Sequence, residues 1–106
     1  MAKFLVKGNY TAEGMRGLSQ DKASGRKAAV EAALHAIGGK LESVYYAFGD
    51  TDVYVVVDCP DNATAAALSV AVCAAGLVKL STVPLLTVEE MDAALGKAVP
   101  YRAPGA

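Results

Sequence analysis

The sequence predicts an α+β fold of ferredoxin-like βαββαβ plan: a four-stranded antiparallel sheet, helices on one face, and an extra C-terminal helix. Three observations carry that expectation. Segments 40–48 (KLESVYYAF) and 53–59 (VYVVVDC) are rich in tyrosine and β-branched residues and flank a turn-forming GDTD cluster, so they read as a hairpin. Helical patterns ended by glycine lie on both sides of that hairpin. One more strand pattern lies outside each helical region, and short right-handed crossovers turn this order into a single antiparallel sheet.

The first strand spans residues 3–7, with Phe4 and Val6 on one face and Lys3, Leu5 and Lys7 on the other, and Gly8 and Asn9 are expected to end it. Thr11 is a good N-cap for a helix over residues 12–21, and Glu13 suits the positive end of its dipole. A second helical piece follows, capped by Ser24, with Ala29, Val30, Ala33, Leu34 and Ile37 on one stripe and Gly38 and Gly39 as its stop. Gly25 favours two pieces with a kink or short break between them over one unbroken helix. After the hairpin, Asp61 or Asn62 caps ATAAALSVAVCAAG, a helix apolar almost all round that needs cover on more than one side. A fourth strand over residues 78–86 contains Pro84, which lacks an amide donor and argues for an edge position or a bulge. TVEE is a capping box, Thr87 with Glu90, opening a last helix to about residue 97. Residues 98–106 carry two prolines and no periodicity, and read as a flexible tail or as an arm lying on a neighbouring subunit.

The whole of 1–106 is expected to form one domain, large enough to need no covalent staple. Its hydrophobic fraction of 54% and mean hydropathy of +0.32 exceed what one thin core hides, which points to a subunit interface. Strand alternation leaves Lys3, Leu5, Lys7, Tyr54, Val56, Ser81 and Val83 on the open sheet face, and a homo-oligomer through that face is the expected assembly. A net charge of −1, with no basic stripe, excludes nucleic acid as the expected partner. The N-terminal apolar run is broken at Lys7, too short for a membrane span or signal core, so the expectation is a cytoplasmic protein without a membrane partner. Cys59 and Cys73 have neither CxxC spacing nor a nearby histidine, and both are read as buried thiols.

FLVKGNYTAEG at 4–14, GRKAAVEA at 25–32, IGGKLES at 37–43, YAFGDTDVYVVVDCPDNATAAALS at 46–69 and LLTVEEMDAA at 85–94 together resemble the GYD domain family. In the namesake motif Gly49 and Asp52 match, whereas Thr51 stands where a tyrosine is expected. The resemblance implies a ferredoxin-like domain that associates through its sheets into dimeric α/β barrels. It implies no biochemical activity.

The residues themselves supply several chemical candidates. His35, the lone histidine, carries the side chain most used for proton transfer and is the first candidate acid or base, although a position near a helix C-terminus favours a cation for structural reasons alone. Asp50 and Asp52 flank the hairpin turn, where aspartates also serve simply as turn residues; Asp52 is the second catalytic candidate. Lys7 and Arg26 offer positive charge to an acidic ligand, and Tyr10, Tyr46 and Tyr54 offer phenols that orient ligand oxygens. Of Tyr45 and Tyr46, only one can join the open face. No phosphate loop, nucleophile elbow, metal-ligand spacing or cofactor motif is present in the sequence. Two functions follow: a homo-oligomeric module binding a small molecule or partner, or a cofactor-free isomerase or oxygenase that encloses a small apolar substrate and uses His35 or Asp52 for proton transfer.

Overall fold

The computed structural model describes all 106 residues. In chain order they form β1 (Ala2–Tyr10), α1 (Ala12–Ala36), β2 (Lys40–Tyr46), β3 (Val53–Cys59), α2 (Asn62–Ala74), β4 (Val78–Leu85) and α3 (Val88–Leu95). The sheet order is β2-β3-β1-β4 and every pairing is antiparallel. This is the ferredoxin-like arrangement expected from the sequence, with its extra C-terminal helix. Pro84 lies on β4, an edge strand, as its missing amide hydrogen requires.

The core is thin and lies on one face of the central strands. Phe4 and Val6 of β1 and Val53, Val55, Val57 and Cys59 of β3 are buried beneath Leu34 of α1 and Ala65 of α2. Burying a leucine such as Leu34 contributes about 2 kcal/mol, and alternation on two adjacent strands is enough to build the floor. β1 does not end at Gly8 as expected. Gly8 is buried in the sheet, paired with Val53 and Leu80, and a Cβ there would come within 2.9 Å of Val53 Cγ1 and 3.1 Å of Leu80 Cδ2. The glycine is needed for close packing there, and the strand continues to Tyr10.

α1 has two limbs. Thr11 caps the first by accepting the Gly14 amide at 3.1 Å. The break comes at Lys22 (φ 64°, ψ 164°), between the two expected pieces and three residues before Gly25. That backbone region is almost reserved for glycine and costs a lysine about 1–3 kcal/mol. Gly25 assists by lacking a side chain: a Cβ there would come within 3.3 Å of Asp21 Cβ, so the bend folds the first limb into that space. Arg26 reaches back across the break to Asp21 at 3.6 Å.

α2 is capped by Asp61, which accepts the Thr64 amide at 2.8 Å, and is tied to β4 by the 2.8 Å hydrogen bond between the Ser69 and Thr82 hydroxyls. The cover expected on more than one side is not supplied by this chain. Only Ala65 of α2 is buried, and Val70 and Cys73 are exposed. Cys73 therefore departs from the buried reading because α1 does not cross over to it, whereas Cys59 is fully buried and its thiol is pushed up by that burial and by Asp58.

α3 opens with both halves of its capping box, Glu90 N to Thr87 Oγ1 at 3.1 Å and Thr87 N to Glu90 Oε1 at 2.9 Å. None of its residues is buried. The radius of gyration is 16.8 Å and the long axis 56 Å, against about 13 Å for a compact domain of this length. Residues 86–106, all of them exposed, contribute to that excess.

Candidate functional site

α1 leans on β2 and β1, α2 leans on β4 and β3, and the two helices barely touch. Between them, over the sheet, lies an apolar cleft of about 130 Å³. Its floor includes Val44, Val55 and Val57, and its walls are Val30 of the second limb of α1 and Leu68 and Val72 of α2. Small side chains make this space. Ala29 and Ala33 stand where larger residues would have closed the helices onto each other.

The polar groups of the cleft gather at one end, where β1 and β2 finish and the second limb of α1 begins. They are Tyr10, Tyr46, Arg26 and Lys27. The half-buried Tyr10 phenol is raised to about 12, first by burial and then by the neighbouring Tyr46 hydroxyl, while Arg26 pulls it the other way. Tyr10 is therefore a neutral O–H donor throughout the physiological range. Tyr10 and Tyr46 also line a more open groove of about 400 Å³ under the first limb of α1, with Met15, Leu18, Lys22 and Asp52. The two phenols line both hollows, and the strained Lys22 turn borders the outer one.

Asp52 acts as a latch. Its Oδ2 accepts the Tyr10 amide at 2.9 Å, its own amide lies 3.0 Å from the Gly8 carbonyl and 3.1 Å from Asn9 Oδ1, and its carbonyl accepts the Ala47 amide at 2.8 Å. These bonds hold the end of β1 against the β2–β3 loop and so fix where Tyr10 leaves the sheet. Of the readings open to this aspartate, the geometry supports the turn role. Thr51 sits beside it, half-buried in the same loop.

The other candidates separate from this group. His35 occupies the exposed last turn of α1. The following Gly39 lies against the Asp58 carbonyl, at the end of the sheet opposite Tyr10. Neither catalytic candidate meets a partner suited to proton transfer inside the apolar cleft. Lys7 and Tyr54 are paired across strands on the sheet face away from the helices, which corrects any grouping of them with Tyr10, Arg26 and Tyr46. On that open face they join Lys3, Leu5, Val56, Ser81 and Val83 as the alternation requires. Lys3 is held there by Glu42 at 2.9 Å and Asp58 at 3.0 Å, and both carboxylates raise its pKa.

A register shift between Leu41 and Ser43 decides which tyrosine faces which way. Lys40 opposes Asp58 on the open face, yet after the bulge at Glu42 it is Tyr45 that opposes Tyr54 there, and Tyr46 turns to the cleft. Lys27 and the walls Val30, Leu68 and Val72 carry no chemical motif. Their apolar members read as ordinary core stripe. The available signal was the alanine content of both helices, which marks close approach or empty space without saying which.

No group of three or more His, Cys, Asp or Glu side chains gathers at metal-binding distance, and no helix is long and apolar enough to cross a membrane. No curated protein and no solved structure matches the chain at a significant level. The sequence model described as the GYD domain does match, over residues 4–95, from Phe4 in β1 to Leu95 at the end of α3, and takes in every residue of the cleft and of the Asp52 latch. By that match the chain belongs to the GYD domain family.

Proposed function

We propose that this protein is a homo-oligomeric binding module whose ligand is a small acid with an apolar body, held in the cleft between α1 and α2. The observation that carries this reading is the asymmetry of the cleft: an apolar interior, with two phenols and two cations at one end only. An aliphatic or aromatic chain lies on the valines. Its carboxylate reaches Arg26, which has one carboxylate neighbour at the long distance of 3.6 Å, and accepts a hydrogen bond from Tyr10. The binding reading is preferred to a cofactor-free isomerase or oxygenase because His35 and Asp52 lie outside this apolar interior. Two free thiols, one of them exposed, suit the reducing cytoplasm.

The test compares octanoate with octanol by methyl NMR. Octanoate is expected to shift Val30, Val44, Leu68 and Val72, with octanol binding more weakly and Arg26→Ala removing the difference, about tenfold in affinity for one partly exposed charge-assisted contact. Equal binding of acid and alcohol to the native protein would overturn the assignment.

The homo-oligomer is assigned to the open sheet face. Leu5, Val56 and Val83 line up across β3, β1 and β4, and Tyr45 opposes Tyr54 beside them. Sedimentation velocity checks this: the native chain is expected to be dimeric, and Val56→Glu to dissociate it.

A further inference from the structure

Arg26, the anion anchor of the cleft, already faces a carboxylate. Its Nη1 lies 3.6 Å from Asp21 Oδ2, with the Arg26 and Asp21 side chains 36% and 52% exposed. On an unbroken helix this pair could not form, because residues five apart point about 140° away from each other around the axis and side chains meet at spacings of three and four. The turn at Lys22, with φ 64° and ψ 164°, brings the two together. Gly25 completes the seat, since a Cβ on it would come within 3.3 Å of Asp21 Cβ. The ion pair therefore exists only as a consequence of the strained break in α1.

Cations outnumber carboxylates around the two phenols. Arg26 and Lys27 line the cleft with Tyr10 and Tyr46, and Lys22 lines the outer groove with the same tyrosines. Asp21 is the one carboxylate within ion-pair distance of any of these three cations, while Asp52 is engaged by the Tyr10 amide. An acid that enters the cleft head-first toward Arg26 thus meets a guanidinium whose charge Asp21 partly neutralises. Two carboxylates at one guanidinium repel each other, and the Asp21 side chain, half in water, yields at little cost.

We propose that Asp21 and the carboxylate of the ligand compete for Arg26, which makes Asp21 the residue that sets how strongly an acid is preferred to a neutral ligand of the same shape. This rests on the reading of the cleft as an acid site and adds the group that opposes the acid. Asp21 stands outside the cleft lining and acts only through Arg26.

The test uses the full chain and methyl NMR titrations with octanoate and octanol. Asp21→Asn keeps the shape of the side chain and removes its charge. It is expected to tighten octanoate about threefold, the worth of one exposed ion pair, and to leave octanol unchanged. In the Arg26→Ala background the same substitution is expected to change neither ligand, since the competition has lost its object. Octanoate binding that is unchanged or weaker in Asp21→Asn would overturn the competition. So would an equal gain in the Arg26→Ala background, which would mark a general charge effect. Either result, with the native protein still preferring octanoate to octanol, overturns this inference alone, whereas equal binding of the two ligands by the native protein would overturn the acid site with it.

Discussion

Gly14→Ala is expected to destabilise the protein although it replaces a helix-interior glycine with the best helix former. Gly14 is buried in the first turn of α1, directly beneath the chain where α2 passes into β4. A Cβ built on it would overlap the Leu77 carbonyl oxygen and would lie 3.0 Å from the Leu77 carbonyl carbon and 3.2 Å from Tyr10 Cδ1. That same oxygen accepts the Thr11 amide at 2.9 Å and the Thr11 hydroxyl at 3.2 Å. Relieving the overlap moves backbone against backbone and loses both bonds. Overpacking of this kind costs about 1–3 kcal/mol and each lost bond about 1, against a helix-propensity gain of about 1. The net expectation is a loss of about 2–4 kcal/mol. Gly17→Ala is the control, because a Cβ there meets nothing within 4 Å and the propensity gain of about 0.5–1 kcal/mol stands alone. Urea unfolding at constant m reads both variants: Gly14→Ala lowers the midpoint and Gly17→Ala raises it. If Gly14→Ala proved as stable as the native chain, the close approach of α1 to Leu77 would be wrong. The placement of Tyr10 that depends on it would be wrong as well.

Three further expectations follow from single groups. Lys22→Gly relieves the positive-φ turn and is expected to raise stability by about 1 kcal/mol in the same urea assay, after the added flexibility of the unfolded glycine is counted. Among the five tyrosines, ultraviolet titration is expected to show one phenol ionising only near pH 12, and Tyr10→Phe to remove that step. Asp61 is held below its ordinary value of 3.8 by the hydroxyl and amide of Thr64, and Glu90 below 4.5 by the amide and hydroxyl of Thr87. A depressed folded value means that their contribution is complete above those ordinary values and is lost as pH falls through the folded ones. Stability is therefore expected to drop below about pH 4, with a shallower slope in Asp61→Asn, measured by urea midpoints across that range.

Where one residue type has one physical job, the sequence was sufficient. Thr11, Asp61 and Thr87 stand at the helix starts, and each accepts the amide that an N-cap should accept. Alternation in VYVVVDC and KFLVK assigned both central strands to the correct faces, because one residue's slip would have buried Lys7 and Asp58. Glycine was harder to read, since its missing side chain serves several ends. Gly8 stays inside a strand to admit Val53 and Leu80, and Gly25 makes room for a bend that occurs three residues earlier. Neither use differs from a terminator in sequence. The uncovered sides of α2 and α3 were not legible for a different reason: a hydrophobic stripe requires a partner without stating whether its own chain supplies one.

The candidate site shows the same limit at finer scale. Tyr10, Arg26 and Tyr46 were selected for their chemistry, and the fold brings those three together, but Lys7 and Tyr54 had equal chemical merit and stand on the other side of the sheet. What separates the tyrosines is the extra residue at Glu42. Without the register shift, the parity running from Lys40 would carry Tyr46 to the open face and point Tyr45 at the cleft. Lys3 holds Glu42 and Asp58 together across three strands at that place, an ion-pair bridge whose members lie far apart in sequence. Composition and period cannot reveal a bulge secured by a lysine two strands away. The identity of the phenol facing the cleft is therefore a tertiary property, set where Lys3 meets the start of β2 and expressed several residues later beside Arg26.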